Sequence, residues 1–288
     1  MVGLPKGREL APIFADKSLC IEYLISKGVL TVSESCESCG GQVALYGHQW
    51  RCKRTLCRKK GSILTGTFFA NSRLPVNEIM ELGYYWLAGA CHRFLMTVTG
   101  HSPNTITDYI KFYQELVYAT FDDEDTMIGG PGIKVQVDES KYGKVKYHKG
   151  YKVEGVWIIG GVEETYDRRM FLEHVETRDR ATILDVLARH IRPGSILVTD
   201  CWRGYTGIAE HLQVSHITVN HSETFKDEVT GVCTNHIEGT WAAIKRRTST
   251  RHRTKKFIEG DLYEFIWKRK YEMDLWGGLL EAFKDVTY

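Results

Sequence analysis

The chain has 288 residues, of which 43% are hydrophobic and 26% charged, and its formal net charge is +2. That balance excludes a disordered chain, and no run approaches the ~18 apolar residues of a membrane-spanning helix. With no signal-peptide layout in the first thirty residues, an intracellular protein of two or three cores is expected, and the mild charge leaves a nucleic-acid partner to be judged from where the charges sit.

Residues 1–33 are predicted to hold one amphipathic helix over Phe14 to Lys27, with Leu19, Tyr23 and Leu24 at helical spacing, Asp16 or Ser18 as its cap and Cys20 in the core. Residues 34–72 read as a zinc ribbon. Cys36-x2-Cys39, twelve residues, then Cys52-x4-Cys57 is the spacing of two knuckles around one tetrahedral ion, with a hairpin of Gln42–Tyr46 and His48–Arg51 between them. A unit this small has little core, so structural Zn2+ is expected to fold it. Six of the ten residues from Arg51 to Lys60 are Lys or Arg. Lys53, Arg54, Arg58 and Lys59 are therefore candidate phosphate contacts, although a basic run is also what a solvated face looks like.

Residues 73–121 have helical periodicity. A Gly turn, Ser102 as cap and Pro103 at the first position lead into a helix from Thr105 to Tyr118, the arrangement that opens a recognition helix in a helix-turn-helix, with Thr105, Thr107, Asp108 and Lys111 toward a major groove. A plain helical bundle fits the same pattern. Residues 122–132, an acidic run followed by Gly129-Gly-Pro-Gly132, read as a solvated linker.

From 133 to 250 the pattern is that of a mixed α/β domain. In Lys134 to Ser140, Gln136, Asp138 and Ser140 share one face, and Val135, Val137 and Glu139 the other, so Asp138 and Glu139 cannot enter one site. Strands follow at 152–160 and 169–175, then a helix at 180–190 with Ala181, Leu184, Leu187 and Ala188 inward, and a strand 195–200 that is apolar until Asp200. Three strands, a helix, a strand ending in Asp, a further helix and strand, and a helix bearing Glu238 is the order of an RNase H-like domain, whose first and fourth strands lie side by side. Asp138 and Asp200 then become neighbours. The helix from Thr234 sets Asn235, Glu238, Ala242 and Lys245 on one face and Ile237, Trp241 and Ile244 on an apolar one. Asn235 stands one turn before Glu238; a carboxylate is the better ligand for a hard cation, so Glu238 is expected as the third acid. The expected chemistry is phosphodiester cleavage with two Mg2+ or Mn2+ ions, Asp138 bridging them. His216 and His221 flank the fifth strand and are read as structural, and Cys201 and Cys233 as buried thiols. Lys245, Arg246, Arg247, Arg251 and Arg253 belong to a second basic run that opens the C-terminal extension, 251–288, and are candidate DNA contacts.

Val-Asp-Glu-Ser-Lys at 137–141, Val-Glu-Gly-Val-Trp at 153–157, Ile-Arg-Pro-Gly-Ser at 191–195, Thr-Asp-Cys-Trp-Arg-Gly-Tyr at 199–205, Val-Asn-His-Ser at 219–222 and Thr-Asn-His-Ile-Glu-Gly-Thr-Trp at 234–241 together resemble the DDE transposases of the Merlin superfamily and their bacterial insertion-sequence relatives, over about Cys36 to Tyr271. The resemblance implies a zinc ribbon, helical DNA-binding elements and an RNase H-like catalytic domain. It implies cut-and-paste transposition with Mg2+ or Mn2+, and Asp138, Asp200 and Glu238 as catalytic acids; relatives vary at the third position, which keeps Asn235 in reserve. Partners would be double-stranded DNA, both terminal inverted repeats and target, and a second copy of the chain, at least a dimer on DNA. The location would be nuclear in a eukaryotic host and otherwise cytoplasmic at the nucleoid.

Overall fold

A computed structural model describes residues 3–143, 155–219, 235–249 and 252–287, and contacts divide the chain into two units, Met1–Thr120 with Tyr271–Tyr288, and Phe121–Lys270. No helix among the described residues is long and apolar enough to cross a membrane.

In the first unit, Asp16 separates two helices, α1 (Gly7–Ala15) and α2 (Lys17–Ser26), where the sequence suggested one. Its extended backbone breaks the run, and its carboxylate accepts from the N–H groups of Ser18 and Leu19 at 2.7 and 2.9 Å. The buried stripe of α2 runs through Cys20, Ile21 and Leu24, so Leu19 falls outside it and is 45% exposed. Burial pushes the Cys20 thiol up to about 12, which keeps it neutral in the core.

The ribbon is a hairpin of β1 (Val43–Tyr46) and β2 (Gln49–Cys52), as expected, with an unexpected third strand, β3 (Lys60–Ser62), along β2. Gly61 makes that strand possible, since a Cβ there would meet the Trp50 ring at 2.8 Å. Helices α3 (Val76–Leu87), α4 (His92–Thr99) and α5 (Pro103–Tyr118) follow. Gly100 ends α4 in the left-handed region, and the Ser102 hydroxyl caps α5 by accepting from the Thr105 N–H at 3.2 Å. Ser102→Ala is expected to destabilise the first unit by about 1 kcal/mol, seen as a lower midpoint in thermal unfolding.

The second unit begins with α6 (Asp123–Thr126) and β4 (Ile128–Gly129), then β5 (Lys134–Tyr142), β6 (Val156–Glu163), β7 (Met170–Val175), α7 (Arg180–His190), β8 (Ile191–Arg192) and β9 (Ile196–Asp200). It continues with α8 (Ile208–Leu212), β10 (Ser215–Val219), α9 (Asn235–Arg247) and α10 (Ile258–Lys270). The stretch read as a solvated linker is therefore built into the domain. Asp122 and Asp125 cap α6 reciprocally, Glu124 and Asp125 pair with Arg192 and Lys270, and β4 runs parallel to β8.

Five strands form one mixed sheet in the order β10-β9-β5-β6-β7, with β5 antiparallel to β6 and parallel to β9. The first and fourth of these strands are adjacent at the centre, which is the RNase H-like arrangement. One face of the sheet packs on α7 and α8 through Ile183, Val186, Leu187 and Ile208; the other packs on α9 and α10 through Ile237, Trp241, Ile244 and Leu262. The inward stripe of α7 is Ile183, Val186 and Leu187, with Leu184 packed at its edge, so the two leucines face the core as expected and the two alanines do not. Ala181 and Ala188 face solvent because the larger aliphatic side chains take the core positions.

After α10 the chain returns to the first unit as α11 (Leu275–Asp285). Phe283 packs on Phe68 and Phe69 with ring centroids 4.9 and 5.0 Å away, and the Trp276 N–H donates to the Tyr23 hydroxyl at 2.7 Å. The residues read as one C-terminal extension are thus shared between the units.

Candidate active site

The acids are set by strand register. In the parallel β5–β9 ladder Gln136 stands opposite Val198, and Asp138 and Asp200 each lie two residues further along their strands, close enough for the charge of one to act on the other. Side chains alternate along a strand, so both acids point to the α9 face, on strands about 4.8 Å apart. On α9, Ile237, Trp241 and Ile244 are buried against the sheet, which leaves Asn235, Glu238, Ala242 and Lys245 on the exposed side. Glu238 lies in the first turn.

Electrostatics tie the three together. The Asp138 carboxyl is held above the usual range by burial first and then by the charges of Asp200 and Glu238, against the lowering pull of N–H groups from Trp241 and Glu139. The Trp241 indole N–H donates to Asp138 Oδ2 at 2.9 Å, and the backbone N–H of Trp202 to Asp200 Oδ1 at 2.9 Å. The acids are not closed around a point: among the described residues, the group of His, Cys, Asp and Glu side chains with ligand atoms all within 4.8 Å of one another is the four cysteines. Three carboxylates offer hard, anionic oxygen ligands, a donor set that fits Mg2+ or Mn2+.

Glu139 points to the opposite face, as strand alternation requires. Burial, then the charges of Asp138 and Asp200, pushes its carboxyl up to about 7, and its Oε1 meets no hydrogen-bond partner.

Sequence reasoning gave Trp241 an anchoring role and missed its hydrogen bond to Asp138. The signal was the Gly160-Gly161 pair inside a strand. Gly160 stands opposite Asp138, and a Cβ there would come within 2.7 Å of the Trp241 ring. Gly160→Ala is expected to push the indole off the sheet and to destabilise the second unit by about 1–3 kcal/mol in chemical unfolding. Trp241→Phe keeps an aromatic ring but removes the donor. It should weaken Mn2+ binding about 10–100-fold in calorimetry with the fold retained.

The second basic run is only partly free to meet a ligand. Lys245 Nζ donates to Ser140 Oγ at 2.7 Å, on the acid face of β5, and lies 5.2 Å from the Tyr142 ring centroid. Arg253 donates to the carbonyls of Lys245 and Thr248 at 2.6 and 3.2 Å, which fastens the end of α9. Arg246 donates to the Ala242 carbonyl at 3.3 Å, and Arg247 stacks over Phe265. Arg251, His221 and Cys233 lie outside the described residues. Cys201, expected to be a buried thiol, is exposed, because the chain turns outward once β9 has ended. His216 bonds Thr199 through Nε2 at 2.9 Å, and burial lowers its pKa.

In the first unit, Cys36 and Cys57 sulfurs are 3.8 Å apart and those of Cys39 and Cys52 3.5 Å. Four thiolates at ~2.3 Å from a tetrahedral zinc would be about 3.8 Å from one another, so the cluster fits the ion. The backbone at Gly41 holds the Cys39 thiol down at about 7. Cys52, although the backbone at Arg54 favours its thiolate, is pushed up to about 12 by desolvation and the neighbouring thiols. Lys53, Arg54, Arg58 and Lys59 are exposed around it, but Arg54 also donates to the Cys39 carbonyl at 2.8 Å and so joins the two knuckles. On α5, Thr105 belongs to the Ser102 cap, Thr107 bonds His92 Nε2 at 3.0 Å, and Lys111 pairs with Glu115 at 3.2 Å; Thr107, Asp108 and Lys111 are exposed.

A family model for the ISXO2-like transposase domain matches residues 122–270. Among solved structures, one described as a pre-cleavage Mos1 transpososome aligns over 73% of this chain and 78% of that chain, at 10% identity and a TM-score of 0.25. No curated protein matches.

Proposed function

The chain belongs to the ISXO2-like family of DDE transposases, and we propose that it cleaves and rejoins DNA at the terminal inverted repeats of its own element, with Asp138, Asp200 and Glu238 as the acids of the site. The observation that supports this reading is the parallel β5–β9 ladder, two residues beyond whose last pair stand Asp138 and Asp200, together with Glu238 in the first turn of α9. Two Mg2+ or Mn2+ ions bound by these carboxylates would activate an attacking hydroxyl and stabilise the departing oxygen.

The rest of the work falls to the chain's own groups. Trp241 and the Trp202 backbone orient two of the acids, and Lys245, held beside Ser140, is placed to meet a phosphate next to them. Arg246 and Arg247 would extend that positive track along DNA, with Arg251 and Arg253 of the same basic run as further candidate contacts. The zinc ribbon, with Lys53, Arg54, Arg58 and Lys59, and α5, with Thr105, Thr107 and Lys111, read the terminal repeat. Joining two ends in concert calls for at least two copies on DNA, in whichever compartment holds it.

The test is a supercoiled plasmid carrying the DNA that flanks the gene on both sides, incubated with protein and Mg2+, wild type beside Asp200→Ala. Release of the fragment at an inverted repeat by the wild type alone supports the reading. If neither protein cuts while both bind the flanks tightly, the chain is a DNA-binding module and its acids are relics.

A further inference from the structure

We propose that Gln136 is a positioning residue that sets Glu238 relative to Asp138 by capping α9 from the neighbouring strand. The inference rests on the acid site proposed above. Gln136 is 0% exposed, and a buried amide is costly unless its polar atoms are bonded. They are. Oε1 accepts from the backbone N–H groups of His236 and Ile237 at 2.9 and 3.1 Å, and Nε2 donates to Glu164 Oε1 at 2.6 Å.

Those two N–H groups lie in the first turn of α9, where no carbonyl of the helix itself is available to them. A Ser, Thr, Asp or Asn just ahead of a helix commonly supplies the acceptor. Here it comes from β5, a hundred residues earlier in the chain. The placement has a consequence for the acids. Gln136 precedes Asp138 by two residues on the same strand face, about 6.6 Å along the strand, and Ile237 immediately precedes Glu238. One side chain therefore joins the element that carries one acid to the turn that carries another. Sliding α9 by one residue's rise, about 1.5 Å, would break both bonds and carry Glu238 off with them. A misplacement of only about 1 Å can cost about 100-fold in well-ordered sites.

The chemistry also explains why the side chain is an amide. It must accept from two N–H groups and donate to a carboxylate, which Glu at 136 cannot do. Exchanging the pair, as Gln136→Glu with Glu164→Gln, conserves its charge and reverses the donor, so the cap can re-form.

The experiment uses the full zinc-loaded chain with Mn2+ alone as the probe. It compares wild type, Gln136→Met, the Gln136→Glu/Glu164→Gln exchange, Val186→Ala as a destabilised control on the other face of the sheet, and Asp138→Asn. Amide hydrogen exchange at His236 and Ile237 reports the cap; calorimetry reports Mn2+ affinity. Gln136→Met should lose protection at both amides and bind Mn2+ about 10–100-fold more weakly, while the exchange restores most of both and Val186→Ala leaves the affinity unchanged. Unchanged protection or unchanged affinity in Gln136→Met overturns the proposal, and so does an equal loss in Val186→Ala. A wild-type affinity that survives Asp138→Asn instead marks failure of the acid-site reading and removes the metal-linked role of Gln136 with it; the exchange data still separate that result from failure of the cap.

Discussion

Asp138→Asn is expected to lower Mg2+-dependent strand cleavage by about 1000-fold or more, equivalent to about 4 kcal/mol of activation free energy, while the protein without metal becomes more stable. The two effects have one cause. Asp138 carries a charge that burial and the neighbouring charges of Asp200 and Glu238 disfavour, so a neutral side chain of the same shape relieves strain in the folded state. The Trp241 N–H can donate to the new amide oxygen as it does to Oδ2, and the indole need not move. Cleavage kinetics on the flanking DNA and thermal unfolding in a chelating buffer check the pair of effects. An unfolded variant, or one that cuts at the wild-type rate, contradicts the expectation.

Removing zinc should have the larger effect on the fold. Stripping the ion, or Cys52→Ser, is expected to unfold the ribbon, because structural zinc supplies roughly 10–16 kcal/mol of apparent binding free energy and three short strands cannot replace it. Cys52 is buried within the cluster and also ends β2, so its loss removes a ligand and a strand terminus together. Zinc content by native mass spectrometry should fall from one ion per chain to none. Protection of β1 to β3 amides should vanish while that of β5 and β9 remains. Persistence of the ribbon amides after zinc is gone contradicts the assignment.

The RNase H-like order of the second unit was legible in the sequence because its signals were redundant. Asp138 falls within an alternating run and Asp200 closes an apolar one, and the element order alone placed their strands together. Weaker signals failed where two patterns competed. The α7 stripe was read through Ala181 and Ala188 because small residues also suit a helix interior, yet volume chose Ile183 and Val186. The acidic run at 122–125 was read as solvated, and composition gave no sign that Arg192 and Lys270, far along the chain, would meet it. Long-range hydrogen bonds were the least visible. Neither the Trp241 to Asp138 bond nor the reach of Gln136 to α9 leaves a local pattern, since each depends on a register that exists only after the sheet has formed.

The return of α11 to the first unit has a bearing on biosynthesis. Residues 1–120 emerge from the ribosome first, but Phe283, which packs on Phe68 and Phe69, and Trp276, which bonds Tyr23, arrive only after the whole of 121–270. Translation thus delivers the sheet and its acids before the amino-terminal half has its last helix, in contrast to the usual order in which domains fold as they appear. A chain truncated after residue 270 would hold all of the second unit's residues while its first unit still lacked one wall.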